Sequence, residues 1–415
     1  MSHSAQEEKV LELIEKSKDD NIALMQKIVQ IPSYTGEEAE IGELLVKEVA
    51  KFGLDDVRIV ERLTGRPNVM ARYHGKIGEP SLTVYAHYDT VPSGDITKWT
   101  HGPFSGAIVD NKIYGRGVKD HKFPIPPLLY AIKAIKDAGL SLNGDIVFAF
   151  VCDEEFGGSR GMGYVVEEGL CDTDYLLYSG GGGDGKTIGI ASNGRRYFRI
   201  IVKGETAHTG RNDSGVNAIL QAMKIIPHLE ELRQEVNNRR LKIKSGDAEI
   251  EGLARFSINK IHSFTTGNNV PDICEIQMDR RFIPQHETFE SCKAEIQAVL
   301  DKVKNENPDL EAELAIVPDR DMLPSVSVPD SPLVKSLQRS VNKVLGVTPT
   351  ISKGPTGGSS DHGWWLLKYP ERAFVSYGCS RGGPSHSYNE YVTIDGLIDN
   401  TKIYALLMMD LLGIA

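Results

Sequence analysis

The stretch DIVFAFVCDEE, residues 145–155, contains the pattern that decides the fold of this 415-residue chain. Its apolar run lacks polar alternation, which is typical of a strand buried on both faces of a parallel sheet. Similar apolar runs occur at 81–86 and 175–178. Apolar residues at helical spacing, 128–138, separate the run at 81–86 from the run at 145–151. We therefore predict an α/β fold whose mixed, mostly parallel sheet is covered by helices.

The rest of the chain predicts a two-part organisation. Further helices are predicted at 7–30, 37–52, 160–168, 333–345 and 394–412, with a strand at 373–377. Between these segments lies a compact β-α-β-α pattern, with strands at 197–202 and 274–282 and helices at 216–232 and 288–304. We predict one domain built from 1–193 and 322–415, into which a smaller α+β domain, 194–321, is inserted.

The composition and charge of the chain argue against several classes of function. The chain has 57 acidic and 47 basic residues, a formal net charge of −10, and 25% charged residues. This acidity argues against a nucleic-acid or anionic-membrane partner, and no apolar run approaches the ~20 residues that span a bilayer. The five cysteines are scattered without a CxxC pair. We therefore expect a reducing cytoplasm, no disulfide framework, and any metal to be bound by histidine and carboxylates.

Two segments that could bind a metal lie before residue 121. His87 and Asp89 follow the strand at 81–86, so His87 could contact a metal while Asp89 holds its far ring nitrogen. A polar strand end with no function is the alternative. Asp120 ends a glycine-punctuated turn, 115–120, and when this segment is taken alone a helix N-cap is the preferred explanation.

Two further segments follow later strands. Asp153, Glu154 and Glu155 lie beyond the strand at 145–151, at the edge where open α/β sheets bind ligands. A carboxylate on a metal with its neighbour as general base would relieve their repulsion, and a solvated acidic loop is the alternative. The last segment, 384–390, contains His386, and a single late histidine is more often structural.

In their order, these segments resemble a known family. AHYD (86–89), GRGVKDHK (115–122), EEFGG (154–158) and HSYNE (386–390) are similar to motifs of the aminoacylase, carboxypeptidase G and succinyl-diaminopimelate desuccinylase family of co-catalytic zinc peptidases and deacylases. GETAH (204–208) and GVNAI (215–219) resemble its inserted dimerisation domain, and NNVPD (268–272), DRR (279–281) and GGSSD (357–361) also have counterparts. The resemblance implies a zinc-peptidase-like catalytic domain over most of the chain.

The resemblance also implies a role for each matched residue of the metal centre. His87 would bind one zinc ion and His386 the other. Asp120 would bridge the two ions, and Glu155 would hold one of them. Glu154 would be the general base, and Asp89 would support His87.

Other matched residues would bind substrate. Arg281 and Asn269 would hold a substrate carboxylate, and Gly358 and Ser359 would line the same site. His208 would cross a homodimer interface to stabilise the oxyanion of the partner subunit's reaction. The implied activity is hydrolysis of an amide by zinc-bound hydroxide, with two zinc ions per chain and cobalt or manganese as other possible metals. The substrate would be an N-acyl amino acid, an N-succinyl diamino acid or a dipeptide.

The chain departs from the family at two positions. Gly180 stands where one more carboxylate would bind the second zinc. Asp184 could reach back to fill this position and is the preferred candidate, while a water molecule or a weak second site are alternatives. His121 follows Asp120 where another residue is commoner, and it could be an extra ligand, although a supporting or surface role is preferred. A metal-poor member that binds a carboxylate ligand without hydrolysis is the alternative function, and the Glu154–Glu155 pair argues against it.

Residues 180–187, GGGGDGKT, also match the phosphate-loop pattern. A phosphate loop must open a helix, whose N-terminal amides hold the phosphates. The following residues, 188–194, are glycine-broken and strand-like. Nucleotide binding is therefore not predicted.

Overall fold

The structure is a computed structural model that describes residues 3–180, 183–265 and 267–415, so Gly181 and Gly182 of the glycine loop lie outside the described residues. The helices are α1 (Ala5–Lys16), α2 (Lys18–Val29), α3 (Ala39–Val49), α4 (Ile125–Asp137), α5 (Met162–Glu167), α6 (Ala218–Asn238), α7 (Phe289–Glu306), α8 (Pro332–Leu345), α9 (Gly363–Lys368) and α10 (Ile394–Leu412). The strands are β1 (Asp55–Glu61), β2 (Pro67–Tyr73), β3 (Gly78–His87), β4 (Ile108–Val109), β5 (Lys112–Tyr114), β6 (Gly144–Val151), β7 (Tyr175–Tyr178), β8 (Thr187–Ile188), β9 (Ala191–Ser192), β10 (Gly194–Lys203), β11 (Arg240–Ser245), β12 (Ala248–Leu253), β13 (Arg255–Ser263), β14 (Ile273–Phe282), β15 (Glu311–Ile316), β16 (Ser325–Val326), β17 (Thr350–Ile351), β18 (Ala373–Ser376) and β19 (Tyr391–Thr393).

The chain forms two compact units. The first unit comprises Met1–Ile190, Ser327–Ser352 and Trp364–Ala415, and the second comprises Ala191–Val326 and Lys353–Gly363. Among the described residues, no helix combines the length and the apolar character that crossing a membrane requires.

The main sheet of the first unit has the strand order β1-β2-β6-β3-β7-β18. Strands β6, β3, β7 and β18 run parallel, whereas β1 and β2 are antiparallel to their neighbours. Alternate residues of β6 are buried in different clusters: Phe148 and Phe150 pack with α1, α4 and α10, and Ala149 and Val151 pack with α5. The apolar run at 145–151 is therefore covered on both faces, as the missing polar alternation predicted.

The parallel pairing of β3 and β6 positions the site. His87, the last residue of β3, lies opposite Val151, the last residue of β6. The carboxyl ends of both strands therefore meet at one edge of the sheet. As a result, the segment that begins at His87 and the acidic segment that begins at Asp153 emerge side by side.

The first unit differs from the sequence-based expectation at its start. The single helix predicted at 7–30 is two helices, because the chain leaves helical geometry at Ser17, whose N–H caps α1 by bonding to Leu13 and Ile14 carbonyl oxygens. Apolar spacing continues on both sides of this residue, so the periodicity alone could not reveal the break. Strands β1 and β2 were also not predicted.

The second unit contains an antiparallel sheet of order β13-β14-β10-β15, against which α6 and α7 pack, and a hairpin of β11 and β12. The prediction of β10, α6, β14 and α7 is confirmed, but β11, β12, β13 and β15 were missed. These strands alternate polar and apolar residues, as in the hairpin segment LKIKSGDAEIEGL, 241–253. That alternation is the signal of a half-buried strand and could have identified them.

Candidate metal centre and active site

Asp89 connects the two strand ends. Its carboxylate is fully buried and accepts hydrogen bonds from the backbone N–H groups of Glu154 (3.0 Å) and Glu155 (3.2 Å). The same carboxylate lies 3.3 Å from Nδ1 of His87. Asp89 therefore contacts the His87 ring at one nitrogen and also fixes the turn that carries the two glutamates.

Asp120 lies between two imidazole rings. Its Oδ1 is 3.3 Å from Nε2 of His87, and its Oδ2 is 3.2 Å from Nε2 of His386. A carboxylate that bridges two metal ions must present one oxygen to each side in this way. The arrangement fits the bridging role that the resemblance implies for this residue.

Glu155 and Glu154 approach different histidines. Oε1 of Glu155 lies 2.8 Å from Nε2 of His386, and Oε2 of Glu154 lies 3.8 Å from Nε2 of His87. Ligand atoms of Asp120, Glu155 and His386 all lie within 4.8 Å of one another, which makes this trio a candidate metal-binding group. The structure thus brings together residues from all four segments selected in the sequence.

The carboxylates of the cluster favour positive charge on the neighbouring histidine rings. Hydrogen bonds to Asp120 and Glu155 raise the pKa of His386 to about 10. Burial would by itself raise the pKa of Asp120, but hydrogen bonds from His386 and His87 hold it well below its usual range. Burial raises the pKa of Glu155, and His386 counteracts this shift only in part. Burial opposes a proton on His87, but Glu154, Asp120 and Asp89 raise its pKa well above the usual value. Protons on the two histidines thus balance the carboxylates, and a divalent cation could take the place of those protons.

The side chains also fit a metal on another ground. Nε2 of His87 is buried, and its 3.3 Å contact with Oδ1 of Asp120 lacks standard hydrogen-bond geometry, so this nitrogen is poorly satisfied by the protein itself. Imidazole nitrogen and carboxylate oxygen are the donors that zinc, cobalt and manganese accept. His87, Asp120, Glu155 and His386 are therefore a suitable ligand set.

His121 lies against this cluster. It is 2% exposed, its ring stacks on that of His87 with centroids 5.0 Å apart, and it packs at a tilt against the Tyr178 ring at the same distance. Burial lowers the pKa of His121 to about 3. Its ring is therefore neutral at physiological pH, in contrast to its neighbour.

Glu390 supports the cluster in a way that the sequence did not reveal. This buried carboxylate accepts hydrogen bonds from the backbone N–H groups of Lys119 (2.9 Å) and Asp120 (3.1 Å), and from Nη1 of Arg116 (2.7 Å). It therefore holds the backbone that carries Asp120. The residue belongs to the HSYNE segment, but no sequence pattern marks a carboxylate that binds backbone amides.

A second buried ion pair supports the acidic turn. Asp153 has φ 70°, a left-handed conformation, and its carboxylate binds Arg66 at 2.7 Å and accepts the Arg160 N–H at 3.0 Å. Arg66 also pairs with Glu38 at 2.6 Å. The first of the three adjacent acids is thus a structural residue, whereas Glu154 and Glu155 face the histidines.

Asp184 is not among the residues of the candidate metal-binding group. Its side chain is 62% exposed, and the carboxylate lies 3.5 Å from Nζ of Lys186. The chain continues from Lys186 directly into β8, followed by β9, so no helix starts there. The strand-like character predicted for the residues after Lys186 is therefore confirmed.

In the second unit, Arg281 lies beside the loop that contains Gly358 and Ser359. Its Nη1 donates to the Gly357 carbonyl oxygen at 2.5 Å, and its Nη2 lies 3.2 Å from Asp279. Oγ of Ser359 is buried and has no hydrogen-bond partner. Arg281, Gly358 and Ser359 thus form one polar cluster.

His208 and Asn269, also in the second unit, face each other across an isolated antiparallel bridge. His208 is exposed, and its Nδ1 accepts the Gly210 N–H at 3.0 Å. A neutral ring whose Nδ1 accepts must carry its proton on Nε2. The outward nitrogen of His208 is therefore a hydrogen-bond donor.

The sheet, with histidines and carboxylates at the carboxyl ends of its parallel strands, defines an α/β metallohydrolase. The sequence pattern of Peptidase family M20/M25/M40 matches residues 83–410, and the chain belongs to this family. The predicted family and fold class are confirmed, and the chain is a hydrolytic enzyme whose chemistry is metal-dependent amide hydrolysis.

Relatives and solved structures agree with this assignment. The succinyl-diaminopimelate desuccinylase of Hydrogenovibrio crunogenus is 28% identical over 405 residues, which cover 95% of this chain and 99% of the relative. Dug1p, described as a dipeptidase of Saccharomyces cerevisiae, has a TM-score of 0.82 at 17% identity and covers 99% of both chains. The Bacillus subtilis YXEP protein, described as a dinuclear metal-binding peptidase, has a TM-score of 0.64 at 19% identity, covering 96% of this chain and 99% of its own.

Proposed function

We propose that this chain hydrolyses a small amide that carries a free carboxylate, with two divalent metal ions, zinc by preference, held by His87, Asp120, Glu155 and His386. The observation that carries the proposal is the position of Asp120 between the two histidine rings, with Glu155 beside one ring and Glu154 beside the other. When bound, the ions would polarise the amide carbonyl and lower the pKa of the attacking water.

Glu154 is the general base in this proposal. Its carboxylate is close to His87 but does not belong to the candidate metal-binding group of Asp120, Glu155 and His386, so it remains available for proton transfer. It would take a proton from the attacking water and return it to the departing amine. Asp89 would keep Glu154 in place, because it binds the N–H of that residue.

The neighbouring glutamates allow a sharp test. We expect Glu154→Gln to retain its metal but to lose roughly 10²–10⁴-fold in kcat, because the amide cannot accept a proton. Glu155→Gln, the matched control one residue away, should lose metal from the His386 side. Elemental analysis and amine release from N-acyl amino acids, N-succinyl diamino acids and dipeptides would measure both effects. Full turnover by Glu154→Gln would contradict the assignment of the base.

The substrate carboxylate would bind in the second unit. Arg281 offers a forked donor, and Ser359 has a buried hydroxyl without a partner, so both suit a carboxylate. Gly358 and Asn269 would complete this subsite. The names of the desuccinylase and dipeptidase relatives support small substrates with such a group.

We also propose that the chain is a homodimer formed through the second unit. The edge strand β13 and the segment after it expose Ile261 (52%) and Phe264 (65%), and the adjoining helix α6 exposes Leu220 and Met223 (58% each). An apolar sheet edge with unpaired backbone groups favours association. Sedimentation should show a dimer that Phe264→Glu weakens.

In this dimer His208 of the partner subunit would donate its Nε2 proton to the oxyanion. His208→Ala and Glu154→Gln should each impair activity, because each removes a group of the same composite site. Mixing the two variants should restore part of the activity, since a heterodimer contains one intact site. No recovery after subunit exchange would contradict action across the interface.

The proposed compartment is the cytoplasm. All five cysteines are buried and free. Buried thiols without disulfide partners are typical of proteins kept in a reducing environment.

A further inference from the structure

The structure shows what occupies the space at Gly180, where the resemblance would place a metal-binding carboxylate. A Cβ atom added to Gly180 would lie 2.7 Å from Nε2 of His121 and would also collide with the Tyr178 ring. In an aspartate, the carboxylate oxygens lie about 2.4 Å from Cβ by standard bond lengths. The His121 nitrogen therefore lies at about the distance from Gly180 at which such an oxygen would be found.

His121 has the properties of a ligand without its metal. Both of its ring nitrogens are buried, and neither makes a hydrogen bond of standard geometry to any residue that the structure describes. The ring lies against His87, whose Nε2 is also buried without a standard hydrogen bond and lies 3.3 Å from Asp120. Buried polar atoms whose hydrogen bonds are missing or poorly formed are rare and costly, and a metal ion near the two adjoining rings would satisfy such nitrogens.

Asp184, the other candidate for this metal-binding position, has an exposed side chain. Its carboxylate is mostly exposed and faces Lys186. Moving it to the cluster would break that contact and rearrange the loop. His121, by contrast, is already buried against the His87 ring, and it directly follows Asp120 in the chain.

We propose that His121 completes the metal site of His87 and Asp120, in place of the carboxylate that Gly180 cannot supply. This inference rests on the proposed function, which places one ion at His87 and Asp120 and another at Asp120, Glu155 and His386. The side chain would change the donor set of the first ion from one imidazole and two carboxylates to two imidazoles and one carboxylate. Such a set is still suited to zinc and cobalt.

The experiment measures bound cobalt in chelator-treated, reconstituted protein by elemental analysis and visible absorption. The wild type should bind two cobalt ions per chain. His121→Ala should bind one under the same conditions and lose part of the absorption. His121→Phe should do the same while it preserves an aromatic ring against His87 and Tyr178, so that loss of packing is separated from loss of a ligand. Asp184→Asn, the control for the competing candidate, should bind two ions.

Each outcome decides between the alternatives. If His121→Phe binds two cobalt ions with an unchanged spectrum, the inference is overturned and the proposed function is left intact. The same holds if Asp184→Asn loses one ion and the His121 variants do not. Fewer than two ions in the wild type would contradict the two-metal proposal and the inference together. A urea unfolding curve of each variant in the presence of chelator, compared with that of the wild type, would establish that the metal-free chains are folded.

Discussion

The conversion of Glu390 to glutamine tests how the bridging aspartate is held in place. The Glu390 carboxylate is fully buried; one oxygen accepts the N–H groups of Lys119 and Asp120, and the other accepts Arg116. A glutamine has the same shape, but its NH2 group would face donors in either orientation. The substitution must therefore leave either two backbone N–H groups or a buried guanidinium without an acceptor.

The magnitude follows from these partners. An unsatisfied buried donor costs about 1–3 kcal/mol, and removal of one member of a buried ion pair costs about 3–5 kcal/mol. We therefore expect Glu390→Gln to lower the free energy of unfolding by about 3–5 kcal/mol. Because Asp120 would shift with its backbone, metal affinity should fall by about 10–100-fold, as is usual for residues that orient metal ligands.

Two measurements check this prediction. Urea unfolding of the chelator-treated chain gives the change in stability, and competition with a coloured chelator gives the change in metal affinity. Glu12→Gln, on the exposed side of α1, is the matched control and should leave both quantities unchanged. Wild-type stability together with wild-type metal affinity in Glu390→Gln would refute the reasoning.

Two further predictions concern the second unit. Burial lowers the pKa of His362 to about 3. Between about pH 6.5 and 3 the unfolded chain therefore binds a proton that the folded chain excludes. As the pH decreases through this range, the free energy of unfolding should decrease by up to about 1.4 kcal/mol per pH unit. His362→Gln should remove this share of the slope in urea unfolding between pH 7 and 5, and an unchanged slope would contradict the assignment. Arg281→Lys should raise KM about tenfold with little change in kcat, because lysine lacks the forked donor. Equal KM values in steady-state assays would exclude Arg281 from the carboxylate subsite.

The part of the fold that the sequence predicted well is the part with a distinctive pattern. Strands β3, β6 and β7 are short apolar runs because helices cover both faces of their sheet, and few other arrangements of a chain produce this pattern. Strands β11 and β13 are half-exposed, and polar or charged residues separate their apolar residues. Their signal is weaker, and they were not predicted.

In the candidate site, too, some residues could be predicted from the sequence and others could not. His87, Asp120, Glu155 and His386 have residue types whose chemistry is recognisable, and the meeting of strand ends explains why they come together. Asp153 and Glu390 could not be recognised, because they act on backbone amides and arginine side chains that only the fold brings near. His121 was noticed only as a departure from the family, and its position beside Gly180 emerged from the structure.

The most direct test of the whole account is a zinc titration of the chelator-treated chain, with amine release from N-succinyl diamino acids, N-acyl amino acids and dipeptides as the readout. We predict no hydrolysis without metal and a rise in activity that levels off at two zinc ions per chain. Hydrolysis that persists at full rate in the metal-free chain would contradict the account.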